Sequence, residues 1–161
     1  MTTFIILSDN HGDLQVISDI LSSEKYDIAI HLGDYLCESS FMKKHFDFYV
    51  AGNNDFDFNA KESYELEIEG LRISLQHGHL IGSYEQLEDV NFMFNYANKY
   101  KIDILMFGHT HTPLLFTNKS VTLINPGSTS LPRFGSKSGY VLLTLNEKMI
   151  VNLERKTLVR R

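Results

Sequence analysis

The chain is poor in cysteine: Cys37 stands alone among 161 residues. No intrachain disulfide can form, and a reducing compartment fits. Cys37 itself reads as a buried structural thiol, because the sequence singles out no base partner that a catalytic cysteine would need. No apolar run approaches the ~20 residues of a membrane span. Phe4 to Leu7 is too short for the apolar region of a signal peptide and lacks a charged stretch before it. Basic charge is also scarce, with 15 Lys and Arg against 20 Asp and Glu, a formal net charge of −5. That balance disfavours stable binding of nucleic acid through its phosphates. The locally basic run from Glu154 to Arg161 reads as a solvated tail. Repeats, low-complexity stretches and linkers are absent. The expectation is one cytoplasmic domain over residues 1–161, with a homo-oligomer left open.

What the chain does have is a repeated pattern. Five short apolar runs each end on residues that can ligate a metal. Phe4–Leu7 leads to Asp9-Asn10-His11, Ile28–Leu32 to Gly33-Asp34, and Phe48–Ala51 to Gly52-Asn53-Asn54-Asp55. Ile73–Gln76 leads to His77-Gly78-His79, and Ile104–Phe107 to Gly108-His109-Thr110-His111. Apolar runs bounded by Gly and Asp predict buried strands, and strand carboxyl ends form the usual ligand edge of an open α/β sheet. Strands side by side would bring together two carboxylates, one amide and four imidazoles, enough for two metal ions sharing a bridge. Asp-x-His and His-x-His each put two side chains on the same side of an extended segment. Each motif alone is weak. Their coincidence at five strand ends is what carries the reading.

The remaining pattern frames this edge. Leu14 to Leu21 predicts a helix capped by Asp13, and a shorter helix is expected between Asp34 and Phe46, with Phe41 and Met42 facing inward. Tyr64–Ile68 and Leu71–Leu75 alternate around a Glu69-Gly70 turn, which predicts a hairpin. Leu87 to Tyr100 predicts one helix, its face formed by Leu87, Val90, Phe94 and Ala97 and broadened by Phe92 and Tyr96. Strands follow at Leu114–Phe116, Val121–Ile124, Tyr140–Leu145 and Met149–Leu153. The class is α/β, with two packed sheets flanked by helices. His31, inside an apolar run, reads as a packed histidine, and His45 as a surface one.

The ordered series Asp-x-His, Gly-Asp, Gly-Asn-x-Asp, His-Gly-His and Gly-His-x-His resembles the calcineurin-like metallophosphoesterase superfamily. Asn125-Pro126-Gly127-Ser128 through Pro132-Arg133 resembles its compact YfcE-type phosphodiesterase branch. The resemblance implies a four-layer αββα sandwich of two mixed sheets, with a binuclear metal site at the strand C-terminal ends. It implies that Asp9, His11, Asp34 and His111 hold one metal, and that Asp34, Asn53, His77 and His109 hold the other. A bridging Asp34 agrees with elementary chemistry, since only a carboxylate has oxygens enough to span two cations. Four imidazoles with two carboxylates suit two divalent transition-metal ions per chain, with Mn first and Ni, Fe, Co or Zn as alternatives.

The activity implied is hydrolysis of a small-molecule phosphodiester by a metal-bridging hydroxide, without a phosphoenzyme. Asp34, Asn54 and His79 form the expected catalytic set, and Asn10, His79 and Arg133 are expected to contact phosphate. Asp55 is expected to support the site, and Ser128 to fix its loop. Many superfamily members carry His directly after Gly-Asn. Here Asn54 stands there, and an amide delivers no proton near neutral pH. The alternative reading is an interaction scaffold that keeps the fold without turnover, as in the retromer subunit that resembles this branch.

Overall fold

The computed structural model describes residues 1–159. The N-terminal half alternates strand and helix: β1 (Thr2–Leu7), α1 (Leu14–Ser23), β2 (Ile28–His31), α2 (Ser39–His45) and β3 (Phe48–Tyr49). A hairpin follows, β4 (Ser63–Ile68) and β5 (Leu71–Gln76), then α3 (Tyr84–Glu88) and α4 (Val90–Lys99). The chain closes with β6 (Ile104–Met106), β7 (Leu114–Thr117), β8 (Thr122–Asn125), β9 (Gly139–Asn146) and β10 (Met149–Thr157).

Two mixed five-stranded sheets result, in the orders β10-β9-β1-β2-β3 and β4-β5-β6-β8-β7. Alternation along each strand sorts side chains to two buried faces. From β1, Phe4 and Ile6 join Ile30, Ile73, Leu75, Ile104, Met106, Ile124, Val141 and Leu143 between the sheets. Ile5 and Leu7 point the other way, onto Ile17, Ile20 and Leu21 of α1 and Met42 of α2. Leu105 and Leu123 likewise leave the central layer and pack against Leu87, Met93 and Ala97 of α3 and α4. These three apolar layers make the αββα sandwich.

The two mixed sheets are as expected, with β1, β2 and β3 of the motif strands in the first and β5 and β6 in the second. Two expectations are corrected. The helix expected over 87–100 is two helices. Asp89 ends α3 and caps α4, its carboxylate accepting from the N–H groups of Asn91 and Phe92, which offers the backbone a competing local bond. Met93, outside the predicted face, is fully buried in its place. The solvated tail is largely strand: β10 pairs with β9 through Thr157. Within it, Arg155 donates from Nε to the Pro126 carbonyl at 2.8 Å and from Nη2 to that of Lys137 at 2.6 Å. Arg160 and Arg161 lie outside the described residues. No helix among the described residues is long and apolar enough to cross a membrane.

Candidate metal centre

The ends of both sheets meet at one edge, and backbone bonds lock their loops together. Asp9 N donates to the Gly33 carbonyl at 3.0 Å, His11 N to that of Asp34 at 3.1 Å, and Gly108 N to that of His77 at 2.8 Å. Gly33 is obligatory at its turn: φ is +102°, and a Cβ there would lie 2.7 Å from His77 Nδ1. Two donor groups form at this edge. Ligand atoms of Asp9, His11, Asp34 and His111 lie within 4.8 Å of one another, as do those of Asp34, His77 and His109. Asp34 belongs to both. Asn53 joins the second group through Oδ1, 3.0 Å from His77 Nε2. All seven residues singled out as ligands from sequence therefore converge, three strand ends contributing from one sheet and two from the other.

The protonation pattern fits a cation. A carbonyl can only accept, so the Nδ1–H groups of His77 and His111 donate to Leu32 and Leu131 carbonyls, each at 2.7 Å. This orients both rings and turns both Nε2 atoms inward. There His111 Nε2 lies 3.1 Å from His11 Nε2 and 3.3 Å from Asp9 Oδ1, while His77 Nε2 lies 3.1 Å from His109 Nδ1 and 3.5 Å from Asp34 Oδ2. Asp9 Oδ1 is buried with no hydrogen-bond partner. A buried acceptor without a hydrogen-bond donor is a costly arrangement that a bound cation satisfies.

Burial works to raise both carboxyls, yet His111 and His77 hold Asp9 below the ordinary aspartate range, and His77 with Asn54 holds Asp34 below it. Burial, despite the nearby carboxylates, lowers His11, and burial with the His77 charge lowers His109 to about 4. His77 is raised, since Asp34 and Asp9 outweigh its burial. The set thus contains two carboxylates and, in His11 and His109, imidazoles pushed toward the neutral form that offers a lone pair, while His77 would give up its proton to a bound cation. Such a set suits mid-transition metals.

Backbone strain concentrates here. Asp9, His11, Asp34, His109 and His111 all adopt positive φ, between 44° and 73°. Asp and His enter this region more readily than most residues, but non-glycine residues there still cost of order 1–3 kcal/mol each. Leu36, with φ +50°, has no such tolerance and is held by its N–H bond to Asp55 Oδ1 at 3.0 Å.

The remaining expected site residues divide. Asn54 turns toward Asp34, donating from its backbone N to Oδ1 at 3.0 Å and from Nδ2 to Oδ2 at 2.9 Å. Asp55 accepts from the N–H groups of Asp34 and Gly52, each at 2.7 Å. His79 sits beside the centre, its ring 5.4 Å from that of His77, and its buried Nδ1 has no partner. Burial, then the neighbouring His77, lowers its pKa. Arg133 stands at the rim, its guanidinium 5.6 Å from the centroid of Tyr84.

Asn10 does not face the site. It is buried, accepting from His31 Nε2 at 2.9 Å and donating to the Tyr35 and Asp13 carbonyls at 3.1 and 3.4 Å, so both its N–H groups are taken. His31 is packed between Asn10 and the Gly33 amide, and burial lowers its pKa to about 3. Cys37 is only partly buried, with its thiol pushed up to about 11 by burial and then by Asp55, Asp57 and Glu38.

Three positioning contacts were missed in the sequence. Tyr84 stacks on His109, with centroids 4.5 Å apart and planes 8° apart. Ser8 Oγ donates to Asp9 Oδ2 at 2.5 Å. Ser128 was expected to fix its own loop; it also donates to the Asp9 carbonyl at 2.6 Å. Only Ser8, beside Asp9, left a local signal; the other contacts join distant segments.

Comparison with known proteins agrees with this architecture. The family model for the calcineurin-like phosphoesterase superfamily domain matches residues 2–148. A probable metallophosphoesterase from Mycoplasma pneumoniae is 32% identical over 154 residues, covering 95% of this chain and 96% of its own. The phosphodiesterase YfcE of Escherichia coli K12 is 30% identical over 92 residues, 57% of this chain and 45% of its own. Among solved structures, a predicted phosphoesterase from Streptococcus pneumoniae TIGR4 superposes with a TM-score of 0.81 at 26% identity, covering 97% of this chain and 89% of the other.

Proposed function

The chain belongs to the calcineurin-like phosphoesterase superfamily, and from that premise we propose that it is a metal-dependent phosphodiesterase of small phosphodiesters. One observation carries the reading: two groups of buried donors share Asp34, beside a buried Asp9 oxygen that no protein group satisfies. Asp9, His11, Asp34 and His111 would hold one divalent transition metal, Mn first among the candidates, and Asp34, Asn53, His77 and His109 the other. When bound, such a pair supplies Lewis acidity at phosphorus and a nucleophile generated from water near neutral pH.

The chain's own residues do the positioning. Asn54 and the Asp55-bound backbone hold the Asp34 carboxylate from both sides. Tyr84 orients His109, and the carbonyls of Leu32 and Leu131 orient His77 and His111. His79 offers a ring N–H to a phosphoryl oxygen, and Arg133 offers a guanidinium from the rim. A cytoplasmic setting accords with the single free thiol.

Elemental analysis after reconstitution should count about two transition-metal ions per chain, and chelation should remove activity. A folded chain that takes up no metal would instead favour the scaffold reading, which requires none of the seven donors.

Asn54 also sets an expectation for leaving groups. Its Nδ2 is engaged by Asp34, and an amide has no proton to deliver. His79, its pKa lowered, is neutral at pH 7 and a poor acid. Diesters with aryl leaving groups should therefore be cleaved much faster than alkyl diesters, with a steep dependence of kcat/KM on leaving-group pKa. General acid catalysis contributes about 10²–10⁴-fold where present. Asn54→His should flatten the slope at matched metal occupancy. A shallow wild-type slope would reveal a proton donor already in place, and His79 would be the first to substitute.

A further inference from the structure

Beside the metal centre lies a cleft of about 740 Å³ whose lining the metal chemistry does not use. One wall follows β2, with Leu36, Cys37 and Glu38; the other is the loop after β3, through Asp57 and Asn59. Asn54 lines the cleft and donates to Asp34, so the two sites share a wall.

The composition of that cleft is selective. Phe56 and Phe58, both on its lining, are 95% and 103% exposed. Burying such a side chain is worth about 1.5–3 kcal/mol, so two bare phenyl rings two residues apart mark a surface that gains from a ligand. Leu36, also exposed and held at positive φ, adds an apolar edge. Charge in the lining is all of one sign: Glu38, Asp55 and Asp57 contribute carboxylates, with no Lys, Arg or His. Tyr35 fixes Asp57 by donating to its Oδ2 at 2.8 Å, and the Asn59 N–H donates to its Oδ1 at 3.0 Å. Both oxygens are thus held while the negative charge stays in the cleft. Aromatic faces next to fixed carboxylates recognise an organic cation, and repel an anion.

We propose that this cleft binds the alcohol substituent retained on phosphorus, and that it takes an alkylammonium alcohol of the choline type. The inference rests on the phosphodiesterase reading above. Retention follows from leaving-group basicity. With no acid at Asn54 the less basic ester oxygen departs, and an alkylammonium alkoxide, more basic than an aryloxide, stays on phosphorus.

The test compares two substrates that differ in one atom's charge: 4-nitrophenyl phosphocholine and its uncharged carbon isostere, 4-nitrophenyl 3,3-dimethylbutyl phosphate. In each, water adds to phosphorus, the P–O bond to the aryl group breaks, and 4-nitrophenolate leaves with the electron pair. The proton from water goes to solvent and the alkyl monoester remains. Metal-loaded wild type should favour the choline ester about 10-fold in kcat/KM, the scale of a partly desolvated cation–π contact. Asp57→Asn should erase most of that ratio. Phe56→Ala combined with Phe58→Ala should also reduce it while weakening KM for both esters.

Equal rates for the two esters, or a preference for the neutral one, would overturn the proposal. If neither ester turns over, and methyl 4-nitrophenyl phosphate does not either, the phosphodiesterase reading fails. The cleft is then judged by tetramethylammonium titrated against the aromatic NMR signals of the whole protein. Saturable shifts at Phe56 and Phe58 that Asp57→Asn weakens would keep it as a cation site, and their absence would reject it.

Discussion

Asp34→Asn should cost more than about 100-fold in activity and release metal, whereas His79→Ala should cost far less. The substitution is informative because so little else changes. Asp34 sits at φ +56°, a region that asparagine tolerates as well as aspartate, so the turn after β2 survives. The Asp55 bond to its backbone N–H is also kept. What disappears is one negative charge shared by two groups of donors, and what appears is an NH₂ facing other donors or lone pairs. Even changes to residues supporting a ligand cost ~10–100-fold in affinity or activity, and a shared ligand lies beyond that range. His79 binds no protein partner through Nδ1 and touches the centre only ring to ring. The measurement is kcat/KM with metal content determined on the same samples. Wild-type occupancy and rate in Asp34→Asn would remove Asp34 from the bridging role.

Gly52→Ala should be nearly as damaging, although Gly52 contributes no ligand. A Cβ at this position would overlap the Asp34 Oδ1 atom and stand 2.5 Å from Asp34 N and 2.8 Å from its Cγ. Those contacts lie inside the van der Waals limit, and the backbone nitrogen cannot swing aside. The methyl group must push β2 and β3 apart at their ends or expel the Asp34 carboxylate. Overpacking costs typically 1–3 kcal/mol of stability, and the displaced carboxylate should lower metal affinity by at least ~10-fold.

Gly135→Ala is the control. Its Cβ would meet nothing within 4 Å, and only its φ of +73° is unfavourable, so stability should fall by about 1 kcal/mol with metal binding intact. Urea unfolding of the metal-free proteins and calorimetric metal titration separate the two effects. A Gly52→Ala protein that unfolds and binds like wild type would mean that the Asp34–Gly52 approach is relieved without cost.

These positions also mark where sequence was readable. The strand ends could be read because apolar runs, Gly and ligand residues are local signals. The Glu69-Gly70 hairpin and the Asp13 cap were readable for the same reason. How the strands divide between two sheets was not, since pairing joins residues distant in sequence, such as Phe4 with Leu143 or Ile104 with Thr122. The break at Asp89 left a trace that went unused: Ser83 and Gln86 form a capping box, which starts a helix earlier than the apolar pattern suggests. Asn10 was misplaced by proximity to Asp9 and His11. Its side chain turns instead onto His31. Tyr84 carried no cue at all, because its stack on His109 forms across 25 positions, a separation that propensity and period do not report.

Because the donors come from both sheets, a cation bound at Asp34 would act as a clasp on the sandwich. The sheets also adhere through a layer of aliphatic side chains and, at this end, through the His77 Nδ1 bond to the Leu32 carbonyl. Bonds from β1, β2 and β3 to one side of an ion, and from β5 and β6 to the other, would pin the register of the two layers at that end only. The far end, where Glu69 in the β4–β5 turn holds the terminal amine at 3.0 Å and accepts from the Glu147 and Lys148 N–H groups, is tied without any ion. Losing the ion would thus loosen the molecule from the catalytic end first, a direction of opening set by topology rather than by the chemistry of the ligands.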